Sequence, residues 1–136
     1  MTKRELLSAV PFFSDLGNEA LTTLESCMVL RKFRRGQPIF SQGDSGESLF
    51  LIASGRVKLF IENSDGEQLT ILFCAPGTCF GEMAVLDGKA RSATAEAVEP
   101  TEAWVVTRND FLNLLRHAPD SAIAVIMFLC SKLRTD

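Results

Sequence analysis

The sequence predicts a mainly β chain with helices at its two ends, folded as an antiparallel sandwich or barrel, and three observations carry that reading. Glycines 55, 66, 77 and 88 recur at intervals of eleven, with segments rich in Val, Ile, Leu, Phe and Thr between them, which is the spacing of short strands and turns. "GRVKLFIENSDGEQLTILF" alternates Val57, Leu59 and Ile61 with Arg56, Lys58 and Glu62, turns at Asp65-Gly66, and alternates again at Leu69 and Ile71. Helical spacing of apolar residues is confined to the two ends of the chain. Strands that follow one another through tight turns favour antiparallel pairing over a parallel sheet.

Taken in order, Asn18 to Met28 carries Leu21, Leu24 and Met28 at helical spacing. Strands are expected at Val29 to Arg34, Pro38 to Ser41 and Ser48 to Ser54, then in the hairpin with one buried face, then at Ala93 to Val98 and Glu102 to Thr107. Thr107 before Asp110 resembles a capping box and opens a helix to about His117, after which Pro119-Asp120 interrupts the chain. In the last helix the apolar residues cover more than one face, too much surface for packing on one domain alone. Ile123, Ile126, Phe128, Cys130 and Leu133 are therefore expected to form a seam with a second copy. The closing "SKLRTD" has neither a glycine cap nor a polar tail, so the natural protein is expected to continue past residue 136.

Composition limits the function. At 136 residues and 46% hydrophobic the chain has enough apolar material for one core, and a net charge of -3 gives no general attraction to nucleic acid or anionic lipid. An anionic ligand must therefore be caught by local chemistry. The densest apolar run, Ala122 to Cys130, falls far short of the roughly 20 residues that cross a bilayer, and "MTKRELLSAV" lacks the apolar block of a signal peptide; a cytoplasmic protein without membrane contact is expected. Cys27, Cys74, Cys79 and Cys130 are scattered, and reduced, mostly buried thiols are expected.

The chemistry concentrates in "FGEMAVLDGKARSATA", residues 80 to 95. Gly81 opens a run able to form one or two helical turns, whose first backbone N–H groups favour an anion. Arg91 can return across the same point after the Gly88 turn and give a two-pronged contact to phosphate oxygens, with the Ser92 hydroxyl beside it. A carboxylate at Glu82 would repel phosphate unless it served another group, and a ribose hydroxyl suits it. Together these describe a nucleotide with sugar and phosphate side by side, a compactness that a cyclic phosphate has.

The same stretch resembles the phosphate-binding cassette of the cyclic nucleotide-binding domain family, in particular the catabolite-activator and fumarate-nitrate-regulator type of bacterial transcription regulator. The resemblance extends to "VPFFSDLGNEALTTL", to "GQPIFSQGDSGESLFLIASGRVKLF" and to "PDSAIAVIMFLCSKLR", which looks like the start of the family's dimer helix. It implies an eight-stranded, jelly-roll-like β-roll over residues 29–107, N-terminal helices over 1–28 and C-terminal helices over 108–136, with the nucleotide inside. It places the ribose contact on Glu82, the phosphate contacts on Arg91 and Ser92, and a backbone nest around Gly81, Met83 and Ala84. Leu59 and Ile71 are the apolar candidates for the base. The implied ligand is cyclic AMP, with cyclic GMP the alternative. The implied protein is a non-enzymatic sensor that dimerises and meets DNA only through a further C-terminal domain. The same module could instead regulate an attached enzyme or channel, stand alone, or be a degenerate member without a nucleotide ligand.

Competing readings of single motifs are weaker. "GEMAVLDGKA" has the wrong spacing for a triphosphate loop, and Ala90 stands where a hydroxyl must hold magnesium. Cys74, Cys79 and His117 match no common zinc spacing, so no metal is expected. His117 is expected to cap a helix end, and Trp104 to pack in the core.

Overall fold

In the computed structural model, which describes residues 2–14 and 16–134, eight strands form two four-stranded antiparallel sheets. Three short helices come first: α1 (Lys3–Ala9), α2 (Pro11–Ser14) and α3 (Asn18–Cys27). Thr2 caps α1 by accepting from the Glu5 N–H, while the Glu5 carboxylate accepts from the Thr2 N–H, a complete capping box. Arg4 ties α1 to α3 through Glu25 and through Asn18 Oδ1 at 2.7 Å.

The strands are β1 (Val29–Phe33), β2 (Pro38–Phe40), β3 (Ser48–Ser54), β4 (Val57–Glu62), β5 (Gln68–Cys74), β6 (Cys79–Phe80), β7 (Thr94–Ala97) and β8 (Thr101–Thr107), with α4 (Glu82–Asp87) between β6 and β7. They are ordered β1-β8-β3-β6 in one sheet and β2-β7-β4-β5 in the other. The glycines spaced by eleven all sit in the left-handed region, with φ from 72° to 94°. β3 lies at the centre of the first sheet, which explains why "SLFLIAS" is apolar without alternation. Leu49 and Leu51 face the helices with Val106, while Phe50 and Ile52 face the second sheet with Ala103 and Val105.

Two expectations need correction here. The hairpin turn is set by Asn63, whose carbonyl accepts from Gly66 N–H at 3.1 Å and whose Oδ1 accepts from Asp65 and Glu67 N–H groups. Beyond it the buried face does not extend along β5: only Cys74 is buried, while Leu69 and Ile71 are exposed by 63% and 57%. The cause is position, because β5 is an edge strand and the corresponding edge of the facing sheet, β6, has two residues. A bulge at Ile71, between the Leu59–Leu72 and Phe60–Thr70 pairs, also breaks the alternation. Of the four cysteines, expected to be mostly buried, only Cys74 is buried, and Cys130 is exposed.

Helix α5 (Arg108–His117) is capped by Thr107, which accepts from Asp110 N–H at 3.2 Å, and ends on His117, whose Nδ1 lies 2.8 Å from the Asn113 carbonyl. The chain is interrupted between the two helices as expected, and Pro119 stands in the first turn of α6 (Pro119–Leu133), where its missing N–H costs nothing. Ala118 is the corner at which the axis bends by 112°. Helix α6 buries Ser121 and Val125 and rests Ala124, Phe128 and Leu129 against the helical core. Phe128, of the residues expected in the seam, is half-buried and lies on the inward side with Val125 and Leu129. Ile123, Ile126, Cys130 and Leu133 remain exposed. Trp104 is partly buried against the same core, under Lys3 Nζ at 4.3 Å from its ring. No single helix among the described residues is long and apolar enough to cross a membrane. Thr135 and Asp136, on which the expected continuation of the chain rests, lie outside the described residues.

Candidate functional site

Strand β6 delivers the chain to Gly81, where the geometry favours glycine. Its φ is +86°, and a Cβ would lie 2.9 Å from Arg91 Nη1 and 3.5 Å from Phe40. From this N-cap α4 runs for six residues to Gly88, also left-handed, whose N–H bonds the Ala84 carbonyl. Gly46 lies so close to Ala84 that a Cβ on it would come within 2.3 Å of the Ala84 methyl group. The far end of α4 is held by Arg108, whose Nε donates to the Val85 carbonyl at 2.9 Å.

After Gly88 the chain crosses back. Arg91 N–H donates to the Asp44 carbonyl at 2.7 Å, and Gly43 N–H donates to the Arg91 carbonyl at 2.9 Å. These backbone bonds carry the Arg91 side chain inward until only 5% of the residue is exposed. Its Nη1 donates to the Gly81 carbonyl at 2.7 Å and its Nη2 to the Ser48 carbonyl, and the Phe40 ring lies 4.0 Å from the guanidinium carbon. The Nε is buried with no hydrogen-bond partner. Burial pulls the Arg91 pKa below its ordinary value, opposed by the carboxylates of Asp44, Glu47 and Glu82. A guanidinium stays charged in any case, so what this arrangement offers a ligand is a fixed, dehydrated cation with a donor to spare.

Arg91 opens on a cavity of about 350 Å³, and the structure brings every sequence-predicted contact residue to its wall: Leu59, Ile71, Gly81, Glu82, Met83, Ala84, Arg91 and Ser92. Glu82 is 5% exposed and Ala84 7%, whereas Met83 is 57% exposed at the rim. Helix geometry leaves the Met83 and Ala84 N–H groups without intrahelical acceptors. The wall of the cavity is polar at Arg91, Ser92, Glu82 and the first turn of α4, and apolar at Leu59, Ile71 and Leu72 from the hairpin. The dimensions suit a compact anion bearing a hydroxyl next to its charge and a flat apolar part.

Sequence reasoning missed Phe40, Leu72 and Lys89, which share that wall. Leu72 could have been found, since it pairs with Leu59 across the hairpin once the bulge at Ile71 is known. Phe40 comes from β2, whose partner β7 sets it opposite Ala95, four residues past Arg91; only the non-local pairing reveals it. Among the described residues no group of three or more His, Cys, Asp or Glu could hold a metal ion.

The two-sheet roll and its cassette define a ligand-binding module. A family model described as "Cyclic nucleotide-binding domain" matches residues 30–118, and the chain belongs to that family. It is 41% identical over 124 residues to the Cyclic AMP receptor protein of Thermus thermophilus, covering 91% of this chain and 57% of that protein. The crystal structure of Thermus thermophilus Catabolite Activator Protein superposes with a TM-score of 0.82 at 41% identity, over 91% of this chain and 58% of the other. The chain is also 31% identical over 113 residues to human cGMP-dependent protein kinase 2, covering 82% of this chain and 14% of the kinase. The chain therefore spans little more than half the length of its bacterial relative.

Proposed function

We propose that this chain binds a cyclic mononucleotide, cyclic AMP before cyclic GMP, and acts as the sensory part of a dimeric transcription regulator without catalysing a reaction on the ligand. The observation that supports the ligand class is Arg91: a guanidinium 5% exposed, with an unpaired Nε, on the wall of a cavity that also holds a buried carboxylate. A cyclic phosphate accepts from Arg91, Ser92 and the first turn of α4, the ribose hydroxyl donates to Glu82, and the base rests on Leu59, Ile71 and Leu72. The names of the relatives favour cyclic AMP and transcription regulation. The reading of the module as a regulator of an attached enzyme is favoured by the matches to cGMP-dependent protein kinases and to the Acetyltransferase Pat of Mycolicibacterium smegmatis. Output would come from a shift between two arrangements of α6, with DNA met through a further domain.

Calorimetry with cyclic AMP, cyclic GMP and 2'-deoxy cyclic AMP on the wild type and on Glu82→Gln tests this reading. Cyclic AMP should bind and should weaken in the variant, while the deoxy analogue should bind the wild type poorly and be far less sensitive to the substitution. No heat at millimolar nucleotide would reject the proposal, and a variant that binds both nucleotides more tightly would show that the carboxylate merely repels phosphate.

A further inference from the structure

We infer that Phe40 is a positioning residue for the phosphate site, holding the plane of the Arg91 guanidinium at the angle from which it meets an anion. The inference rests on the proposed cyclic nucleotide reading for its ligand, but not for its geometry. Two in-plane bonds, to the Gly81 and Ser48 carbonyls, fix where the guanidinium sits, yet bonds to two carbonyls leave its tilt about the line between them free. The face of Phe40 at 4.0 Å from the guanidinium carbon removes that freedom.

The ring is itself held. Phe50 and Phe80 stack nearly parallel, at 12° and 5.1 Å between centroids. Phe40 does not join that stack: it is inclined at 40° to both, at 5.8 and 6.0 Å. It is therefore held by two core aromatics, tilted against both, while its face lies against the cation. Its Cε2 would also stand 3.5 Å from a Cβ at Gly81, so ring, glycine and arginine occupy one close-packed point. An aliphatic residue could fill the same volume, but it has no quadrupole to attract a buried cation. Preorganisation of this kind matters because a fork must meet phosphate oxygens within about 10–20° of its productive orientation.

The experiment measures cyclic AMP binding by calorimetry for the wild type, Phe40→Leu and Phe40→Tyr, with Phe40→Leu repeated in an Arg91→Gln background, where the cation is gone. It adds the NMR signal of the Arg91 Nε–H in the ligand-free wild type. Phe40→Leu should weaken binding roughly tenfold, Phe40→Tyr should keep nearly all of it, and in the Arg91→Gln background Phe40→Leu should change binding by less than about twofold. The Nε–H signal should be shifted upfield by the ring, and Phe40→Leu should abolish the shift. Equal losses in both backgrounds, or wild-type binding by Phe40→Leu, would reduce Phe40 to packing and overturn the inference. A wild type without the ring shift would overturn it whatever the protein binds. A wild type with the ring shift but no binding heat would leave the positioning intact and reject the cyclic nucleotide reading instead. Should Phe40→Leu fail to fold, Phe40→Tyr and the wild-type signal still decide.

Discussion

At the scale of the residue, Arg91 combines two requirements that pull apart. A buried cation needs partners, and the carbonyls of Gly81 and Ser48 and the face of Phe40 supply them. A ligand site needs donors left over, and each Nη keeps a second N–H beyond the one that bonds a carbonyl. Arg91 therefore serves the fold as well as the ligand, which the sequence does not disclose, because an arginine following a glycine turn looks the same whether it points inward or into water. Replacing it has two expected consequences. Arg91→Leu removes one or two charge-assisted hydrogen bonds to phosphate, each worth about 1.5–3 kcal/mol, so calorimetry should show cyclic AMP weakened by at least roughly tenfold. It also strands two carbonyls, so chemical denaturation should show a loss of about 1–3 kcal/mol, less whatever removal of a dehydrated charge returns. A variant that binds cyclic AMP like the wild type would place the ligand elsewhere.

At the scale of the element, the cassette depends on turns rather than on the helix between them. Gly81→Ala forces a side chain into φ +86° and sets a methyl group 2.9 Å from Arg91 Nη1, so it should cost about 1–3 kcal/mol in denaturation and weaken cyclic AMP with it. Gly36→Ala, at φ +82° with nothing within 4 Å and no bond to Arg91, should cost backbone strain and leave binding nearly unchanged. Equal binding losses at the two positions would show that strain alone, not crowding of Arg91, is at work. Elements of this kind were legible in the sequence wherever local chemistry settles them. The bounds expected for β3, Ser48 to Ser54, are those observed, and the Thr107 cap starts α5 where it should. The capping box Thr2-Lys-Arg-Glu5 is equally local and marks the start of α1 in the sequence itself. What was not legible depends on partners distant in sequence. Alternation along β5 says which residues share a face but not that the facing sheet ends before it, and apolar spacing in α6 does not distinguish Phe128, turned to the helical core, from Ile126, turned to solvent.

At the scale of the whole molecule, the cassette is tied to the part of the chain that could report on it. Arg108 begins α5 and bonds the Val85 carbonyl at the end of α4, and α5 turns by 112° into α6, so a shift of α4 on ligand binding has a direct path to the last helix. On α6 the exposed residues Ile123, Ile126, Cys130 and Leu133 follow one another at steps of three, four and three, the repeat of a two-stranded seam, while Val125, Phe128 and Leu129 point inward. Ile126 and Leu133 are 59% and 83% exposed in the single chain. Burying each such side chain is worth about 1.5–3 kcal/mol, against an association cost of about 4–15 kcal/mol, so a stripe this short should hold two copies only weakly. Sedimentation should accordingly show a dimer that grows with concentration through the micromolar range. Ile126→Glu should abolish it, because two carboxylates would meet across the axis, and should leave the melting curve of the monomer nearly unchanged, because position 126 touches no core. Phe128→Ala provides the contrast: its ring rests on the helical core, so it should lower stability by up to about 3–5 kcal/mol and affect association less directly. A wild type that stays monomeric at its highest soluble concentration would remove the seam and leave the stripe on α6 without the occupant proposed for it.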